Sequence, residues 1–267
     1  MFIINSRRSF TEDEIIAPAD SFWEAPVQTP VPVPRPVTKA QFDAQVRGKR
    51  VLMLIHGYNN MWEDVARAYG IIEEKISTVS AGQYDVVVGY TWPAGNDALD
   101  WFKAKKMSSV IGPRVSAHLA DVLAGATSLD IMTHSLGGRV AFKAMDLLPA
   151  GRVRNLFTTA AAVDNESIEL DNEHYSATQK TATTFVFHTK KDGVLAAAYK
   201  LAEWDAALGE DGPEDPAAII QHSPNVRVVN CKNKVLAHGH YKHVDDVYGL
   251  IRAHLTAPAS VPQFVTL

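Results

Sequence analysis

Six short apolar segments, separated by stretches of helical periodicity, constrain most strongly what this chain can fold into. They are Val51–Ile55, Val86–Tyr90, Leu129–Thr133, Leu156–Val163, Phe185–His188 and Val226–Val229. Continuous apolar runs of this length are typical of strands that are buried on both faces, as in a parallel sheet. Between the runs, apolar residues recur at helical spacing, for example over Asn60–Val79. The alternation predicts one α/β domain with an open, mostly parallel central sheet flanked by helices.

The first 49 residues are less regular than the rest. Met1–Asn5 could form a short strand, and Thr38–Val46 could form a short amphipathic helix. The segment Ala25–Val37 carries five prolines, which favour an extended chain. We therefore expect a proline-rich, irregular N-terminal arm over residues 1–49, lying across the surface of a domain formed by residues 50–267.

Composition and charge exclude several classes of protein. The formal net charge of the 267-residue chain is −4, whereas a nucleic-acid binder needs a basic surface. No apolar stretch approaches the roughly 18 residues of a membrane-spanning helix, and the N-terminus lacks the pattern of a secretion signal. Cys231 is the single cysteine, so no internal disulfide can form. We expect a cytoplasmic protein that spans no membrane and binds no nucleic acid.

A candidate nucleophile lies between a predicted strand and a predicted helix, in the sequence Thr133-His134-Ser135-Leu136-Gly137. In a nucleophile elbow the serine occupies a sharp strand-to-helix turn, and small residues two positions away on either side allow close backbone approach. Gly137 meets this requirement, while Thr133 replaces the glycine that is commonest at the first position. Ser135 is therefore the candidate nucleophile. The alternative is that Ser135 only caps the following helix.

A second turn follows the strand Val51–Ile55 and begins with His56-Gly57. Hydrolases with a nucleophile elbow bind the oxyanion through the N–H group after the nucleophile and a second N–H group from a loop that follows an earlier strand. Here these donors would be the N–H groups of Leu136 and Tyr58. Alternatively, the His-Gly pair only ends the strand.

Together, the sequences VLMLIHGYNN and DIMTHSLGGR and the aromatic-Trp-Pro sequence at Tyr90–Pro93 resemble a branch of the α/β-hydrolase superfamily. This branch consists of bacterial, largely uncharacterised serine hydrolases. The resemblance covers roughly residues 50–255. It implies an esterase-like enzyme that transfers an acyl group to water through a Ser-Asp-His triad, with no cofactor and no metal.

The residues alone leave the triad acid open, because Asp164 and Asp192 each follow a predicted strand. The resemblance favours Asp192, since the acid of the superfamily usually follows the penultimate strand. For the base, three histidines follow the last predicted strand: His238, His240 and His243. In the family pattern an aromatic residue stands three positions after the base and the last helix starts about nine positions after it, which favours His238 over His240.

Two alternatives belong to other functional classes. The spacing His238-x-His240-x-x-His243 matches a zinc motif of metallo-β-lactamase type, although Lys242 stands where that motif has an aspartate. The chain could also be a non-catalytic binding scaffold with the same fold.

For the serine hydrolase we expect a small-molecule ester of small or medium acyl chain as the substrate. We expect no large lid, an overhang by residues Asn96–Met107, and a helix after Asp192 that contributes a pocket wall of Leu195, Tyr199, Leu201 and Trp204.

Overall fold

The computed structural model of the protein describes residues 1–12, 14–26, 33–95 and 101–267. In these residues ten strands form one sheet. The strands are β1 (Phe2–Arg7), β2 (Ile16–Glu24), β3 (Arg35–Val37), β4 (Arg50–Ile55), β5 (Val86–Thr91), β6 (Ser128–His134), β7 (Asn155–Thr159), β8 (Thr183–His188), β9 (Val226–Asn230) and β10 (Phe264–Thr266).

The strand order is β10-β9-β8-β7-β6-β4-β5-β1-β2-β3. Every neighbouring pair from β10 to β1 is parallel, and only β1–β2 and β2–β3 are antiparallel. The residues of the central strands β4 to β8 are almost all buried, as expected for strands covered on both faces. The prediction of a mostly parallel α/β fold is confirmed.

Nine α-helices flank this sheet within the described residues. They are α1 (Lys39–Val46), α2 (Trp62–Thr78), α3 (Trp101–Ala120), α4 (Leu136–Asp146), α5 (Tyr175–Gln179), α6 (Lys200–Glu203), α7 (Leu208–Asp211), α8 (Pro216–His222) and α9 (Asp245–Thr256). A π-helical turn covers Leu195–Tyr199, and 3₁₀ turns cover His238–His243 and Pro258–Ser260. None of the helices in the described ranges is long and apolar enough to cross a membrane.

The N-terminal segment differs from the irregular arm that we expected, since its described residues contain three strands of the central sheet. Strand β1 pairs in parallel with β5, and Ile3 and Ile4 are fully buried there. The physical reason is that β5 would otherwise be an edge strand with unpaired backbone groups, which β1 satisfies. Of the proline-rich segment, residues 27–32 lie outside the described residues, and β3 continues the sheet beyond them. The predicted short helix is α1, which Thr38 caps with a capping box.

Two predicted elements end earlier than the apolar pattern indicates. The run Leu156–Val163 is a strand only as far as Thr159, because the chain turns at Ala160, whose φ is 49°. The predicted helix after Asp192 is interrupted at Trp204, which adopts a left-handed conformation with φ 61°. The turn at Ala160 follows the carboxyl end of β7, at the edge where open α/β sheets bind ligands.

Candidate active site

Ser135 directly follows β6 and precedes α4, in a strained backbone conformation with φ 55° and ψ −125°. Such a conformation costs a non-glycine residue of order 1–3 kcal/mol and persists only where neighbouring structure holds it. Here the Ser135 N–H group donates to the Thr159 carbonyl at 2.9 Å, and the Ser135 carbonyl accepts from Gly138 at 2.9 Å and Ala162 at 3.2 Å. The Ser135 side chain makes no capping hydrogen bond to α4. The geometry is thus that of an elbow and not of a simple helix cap.

The elbow and the His-Gly turn pack backbone against backbone, which is possible because both carry glycine. A Cβ atom at Gly137 would lie 2.4 Å from the carbonyl oxygen of Ile55, and one at Gly57 would lie 2.7 Å from Cβ of Ser135. Real Cβ atoms do not approach so closely, so these two positions admit only glycine without a shift of the backbone. The contact places Tyr58 beside the elbow, where Leu136 begins α4 with an N–H group that has no acceptor inside the helix.

His56 holds the His-Gly turn and has no free nitrogen for chemistry. Its Nε2 atom accepts a hydrogen bond from the Trp92 backbone N–H at 3.1 Å, and its Nδ1–H donates to the Gly57 carbonyl at 2.8 Å. The Trp92 indole N–H donates to the His56 carbonyl at 3.0 Å, and the two rings stack. Burial, together with the nearby Arg7 charge, lowers the pKa of His56 well below its usual value. The ring is therefore neutral, and Trp92 of the aromatic-Trp-Pro sequence is its support.

Arg7 of β1 is a second support that sequence reasoning missed. Its guanidinium is buried, donating through Nε to the Thr91 hydroxyl at 2.8 Å and through Nη2 to the Asn60 carbonyl at 2.7 Å. The Thr91 hydroxyl lies 3.4 Å from Nε2 of His56. Arg7 thereby connects the end of β5 to both ends of the turn that contains Tyr58. No local sequence signal marks it, because it stands in the segment expected to be irregular.

Asp192 and His238 form an acid–imidazole pair in which the acid is fully buried and the imidazole partly exposed. The Asp192 carboxylate has no exposed surface, and its Oδ2 atom accepts from Nδ1 of His238 at 2.7 Å. Its other oxygen accepts from the N–H groups of Val194 at 3.2 Å and Leu195 at 3.0 Å. Because the carboxylate can only accept, Nδ1 carries the proton of the neutral ring, and the lone pair is on Nε2. His238 and Ser135 both line one cavity.

The alternative acid and base occupy other environments. Asp164 accepts a hydrogen bond from the Tyr199 hydroxyl at 2.6 Å, a contact that serves the cavity wall. His240 accepts through Nδ1 from the Leu236 N–H group at 3.3 Å. The structure therefore brings Asp192 together with His238 and not with His240. Across the described ranges, no cluster of three or more His, Cys, Asp or Glu side chains is arranged to hold a metal ion.

His134, the residue before the elbow serine, contacts His238 from the side. The two ring centroids are 4.6 Å apart, with planes inclined by 51°. Burial and the adjacent His238 and Lys242 lower the pKa of His134 well below its usual value. A neutral His134 ring therefore restricts the movement of His238 without adding a competing charge. In the sequence, His134 is marked only by its position in the elbow, and no local signal indicates its contact with His238.

The cavity has a volume of about 940 Å³, near the upper end of the range for small-molecule sites. It is lined by the four residues predicted as a pocket wall: Leu195, Tyr199, Leu201 and Trp204. Trp101 makes edge-to-face contacts with Tyr58 and Tyr199, at centroid distances of 5.7 and 5.6 Å. Of the predicted overhang Asn96–Met107, residues 96–100 lie outside the described residues, whereas Trp101 and Phe102 line the cavity.

Several solved structures resemble this fold at low sequence identity. Est1E from Butyrivibrio proteoclasticus matches with 13% identity and a TM-score of 0.46, over 89% of this chain and 94% of its own. A hyperthermophilic esterase from the archaeon Pyrobaculum calidifontis matches with 13% identity and a TM-score of 0.46, over 97% of this chain and 83% of its own. Esterase Pf2001 from Pyrococcus furiosus matches with 10% identity and a TM-score of 0.42, over 90% of this chain and 82% of its own.

The chain also matches a protein family over most of its length. No curated protein matches the chain. A family model described as "Alpha/beta hydrolase of unknown function (DUF900)" matches residues 37–254. The matched range contains the elbow, the His-Gly turn and the Asp192–His238 pair, but it excludes β1 and therefore Arg7.

Proposed function

The chain belongs to this α/β-hydrolase family of unknown function, and on that premise we propose that it is a serine hydrolase that cleaves carboxylic esters of small or medium acyl chain. One observation carries the proposal. The hydrogen bond of 2.7 Å between Asp192 and His238 orients an imidazole on the same cavity as Ser135 at its strained elbow. A buried carboxylate, an oriented imidazole and a serine at one site are the components of nucleophilic acyl transfer.

In the proposed mechanism, the Ser135 hydroxyl attacks the carbonyl carbon of the ester while Nε2 of His238 accepts its proton. The N–H groups of Tyr58 and Leu136 stabilise the negative oxygen of the tetrahedral intermediate, each contributing roughly 10²–10³-fold in kcat. When the C–O bond breaks, His238 returns the proton to the departing alkoxide. Water then attacks the acyl-enzyme with His238 as base, releasing the carboxylic acid and regenerating Ser135. Asp192 stabilises the imidazolium in both steps.

Labelling with a fluorophosphonate probe, with and without a chelator, tests the proposal against the zinc hydrolase and the non-catalytic scaffold. The probe loses fluoride and bonds to a serine oxygen only where that oxygen is activated. We expect labelling of the wild-type protein that EDTA does not alter, and no labelling of Ser135→Ala. Absence of labelling in the wild type, or its loss with EDTA, contradicts the serine hydrolase.

Replacing Asp192 with asparagine is expected to lower kcat by about 10⁴-fold, because the amide can donate to Nδ1 and so favours the wrong imidazole tautomer. The matched control is Asp164→Asn, which weakens only the contact to Tyr199 and should change kcat less than tenfold. Steady-state hydrolysis of a short-chain aryl ester measures both. A loss confined to Asp164→Asn would assign the acid to the loop after β7.

Arg7→Met should lower kcat roughly 10- to 100-fold with a smaller change in KM, since displacement of a catalytic group by about 1 Å can cost that much. Methionine keeps the bulk of the side chain but removes the donors to Thr91 and Asn60. Arg7→Lys should recover part of the loss, and Arg8→Met, which removes an exposed ion pair with Glu12, should leave kcat unchanged. If Arg7→Met lowers only the melting temperature, Arg7 does not position the turn.

A further inference from the structure

Four large apolar side chains are exposed around the mouth of the cavity. Phe102 is 65% exposed, Val194 52%, Leu201 74% and Trp204 86%, and all four line the cavity. We call these four residues the cavity rim. Single exposed apolar residues are common on protein surfaces, but a group around a binding site marks a surface of interaction. The rim is therefore a candidate for contact with something apolar outside the protein.

The rim comes from two segments that are joined into one surface. Phe102 lies at the start of α3, Val194 and Leu201 lie between Asp192 and the end of α6, and Trp204 directly follows α6. The Glu203 carboxylate accepts from the Trp101 indole N–H at 2.7 Å and also pairs with Lys105. Trp204 directly follows α6, and its left-handed backbone conformation ends that helix. The contacts of Glu203 therefore join α6 to α3, the two segments on either side of the cavity mouth.

The same segments carry a positive charge, although the whole chain has a net charge of −4. Lys106, Lys191 and Lys200 are exposed there. Residues 101–107 and 190–205 contain six lysines and three carboxylates, so lysines are in excess. Of the carboxylates, Asp192 is bound to His238, Glu203 pairs with Lys105, and Asp205 accepts from the Ala206 N–H group. Exposed tryptophan and leucine beside lysines is the combination that binds the interface of anionic lipid.

We propose that the cavity rim docks on an anionic lipid surface, so that the acyl chain of an ester held in that surface enters the cavity. The docking itself follows from the rim and its charges, and only the entry of the substrate rests on the proposed function. A second copy of this chain fits the rim less well, because the lysines of two facing copies would repel each other. The substrate class is thereby an amphiphilic carboxylic ester and not a fully water-soluble one.

Vesicle flotation with the full-length Ser135→Ala protein tests the docking without hydrolysis of the lipid. The probes are vesicles of phosphatidylcholine alone and of phosphatidylcholine with a quarter phosphatidylglycerol. We expect binding to the mixed vesicles at least tenfold tighter than to the neutral ones, and weaker in high salt. Adding Leu201→Ser and Trp204→Asn should weaken binding to the mixed vesicles at least tenfold; asparagine tolerates the left-handed conformation at position 204.

The matched control adds Leu147→Ser and Ile220→Ser to the same Ser135→Ala protein. These residues are 59% and 60% exposed but do not line the cavity, so vesicle binding should not change. Equal binding to neutral and mixed vesicles, or equal losses in both double substitutions, overturns the proposal. So does self-association that the rim substitutions abolish in sedimentation velocity while vesicle binding is absent. Neither vesicle flotation nor sedimentation velocity measures ester hydrolysis. A negative result for docking is therefore distinguishable from a failure of fluorophosphonate labelling, which would contradict the proposed function.

Discussion

Replacing Ser135 with alanine is expected to lower kcat on a short-chain aryl ester by roughly 10⁴–10⁶-fold while the protein stays folded. The substitution removes only the hydroxyl oxygen, and Cβ remains in its contact with Gly57. The positive φ of 55° is equally strained in serine and alanine, so the elbow itself should be unaffected. The activity that remains would reflect binding and oxyanion stabilisation without a nucleophile.

Steady-state kinetics and thermal unfolding together check this result. The control is Ser116→Ala in α3, which removes a hydroxyl from an equally buried serine outside the cavity. That variant should retain wild-type kcat. If Ser135→Ala retains more than a tenth of the wild-type kcat, Ser135 is not the nucleophile. A loss of the cooperative unfolding transition would instead assign the effect to the fold.

His238→Gln should lower kcat by at least about 10⁴-fold with little change in KM, because an amide cannot accept the serine proton. Glutamine retains an N–H donor, which we expect to hydrogen-bond the buried Asp192 carboxylate in place of the Nδ1–H group. The expected loss therefore reports proton transfer more than the cost of an unpaired carboxylate.

The parallel variant is His240→Gln, two residues away in the same 3₁₀ turn. His240 accepts only from the Leu236 N–H group, and its substitution should change kcat less than tenfold. Kinetics with the same ester compare the two variants under identical conditions. An inactive His240→Gln beside a near-wild-type His238→Gln would move the base to His240 and break the proposed pairing with Asp192.

The fold and the elbow follow from signals that lie close together in the sequence. Buried parallel strands appear as continuous apolar runs because both of their faces are covered. The elbow appears as Ser135 beside Gly137 because backbones meet there with no room for a Cβ atom. Each pattern is complete within a few residues and can be recognised without knowledge of distant parts of the chain.

Contacts between distant residues required the tertiary structure. Asp164 and Asp192 look alike in sequence, since each follows a strand, and only packing across 46 residues puts Asp192 against His238. Arg7 lies 84 residues from Thr91, and its role depends on β1 entering the sheet beside β5.

The sequence by itself therefore determined the six strands β4 to β9, their alternation with helices and the two glycine turns, because local backbone requirements select their residues. Only the tertiary structure decided that the N-terminal segment joins the sheet, that Arg7 and Trp92 support the turn at Tyr58, and that apolar side chains surround the cavity mouth. These features depend on which surfaces meet when the chain packs. A strand as short as β1 carries too little sequence pattern to indicate that it pairs with β5.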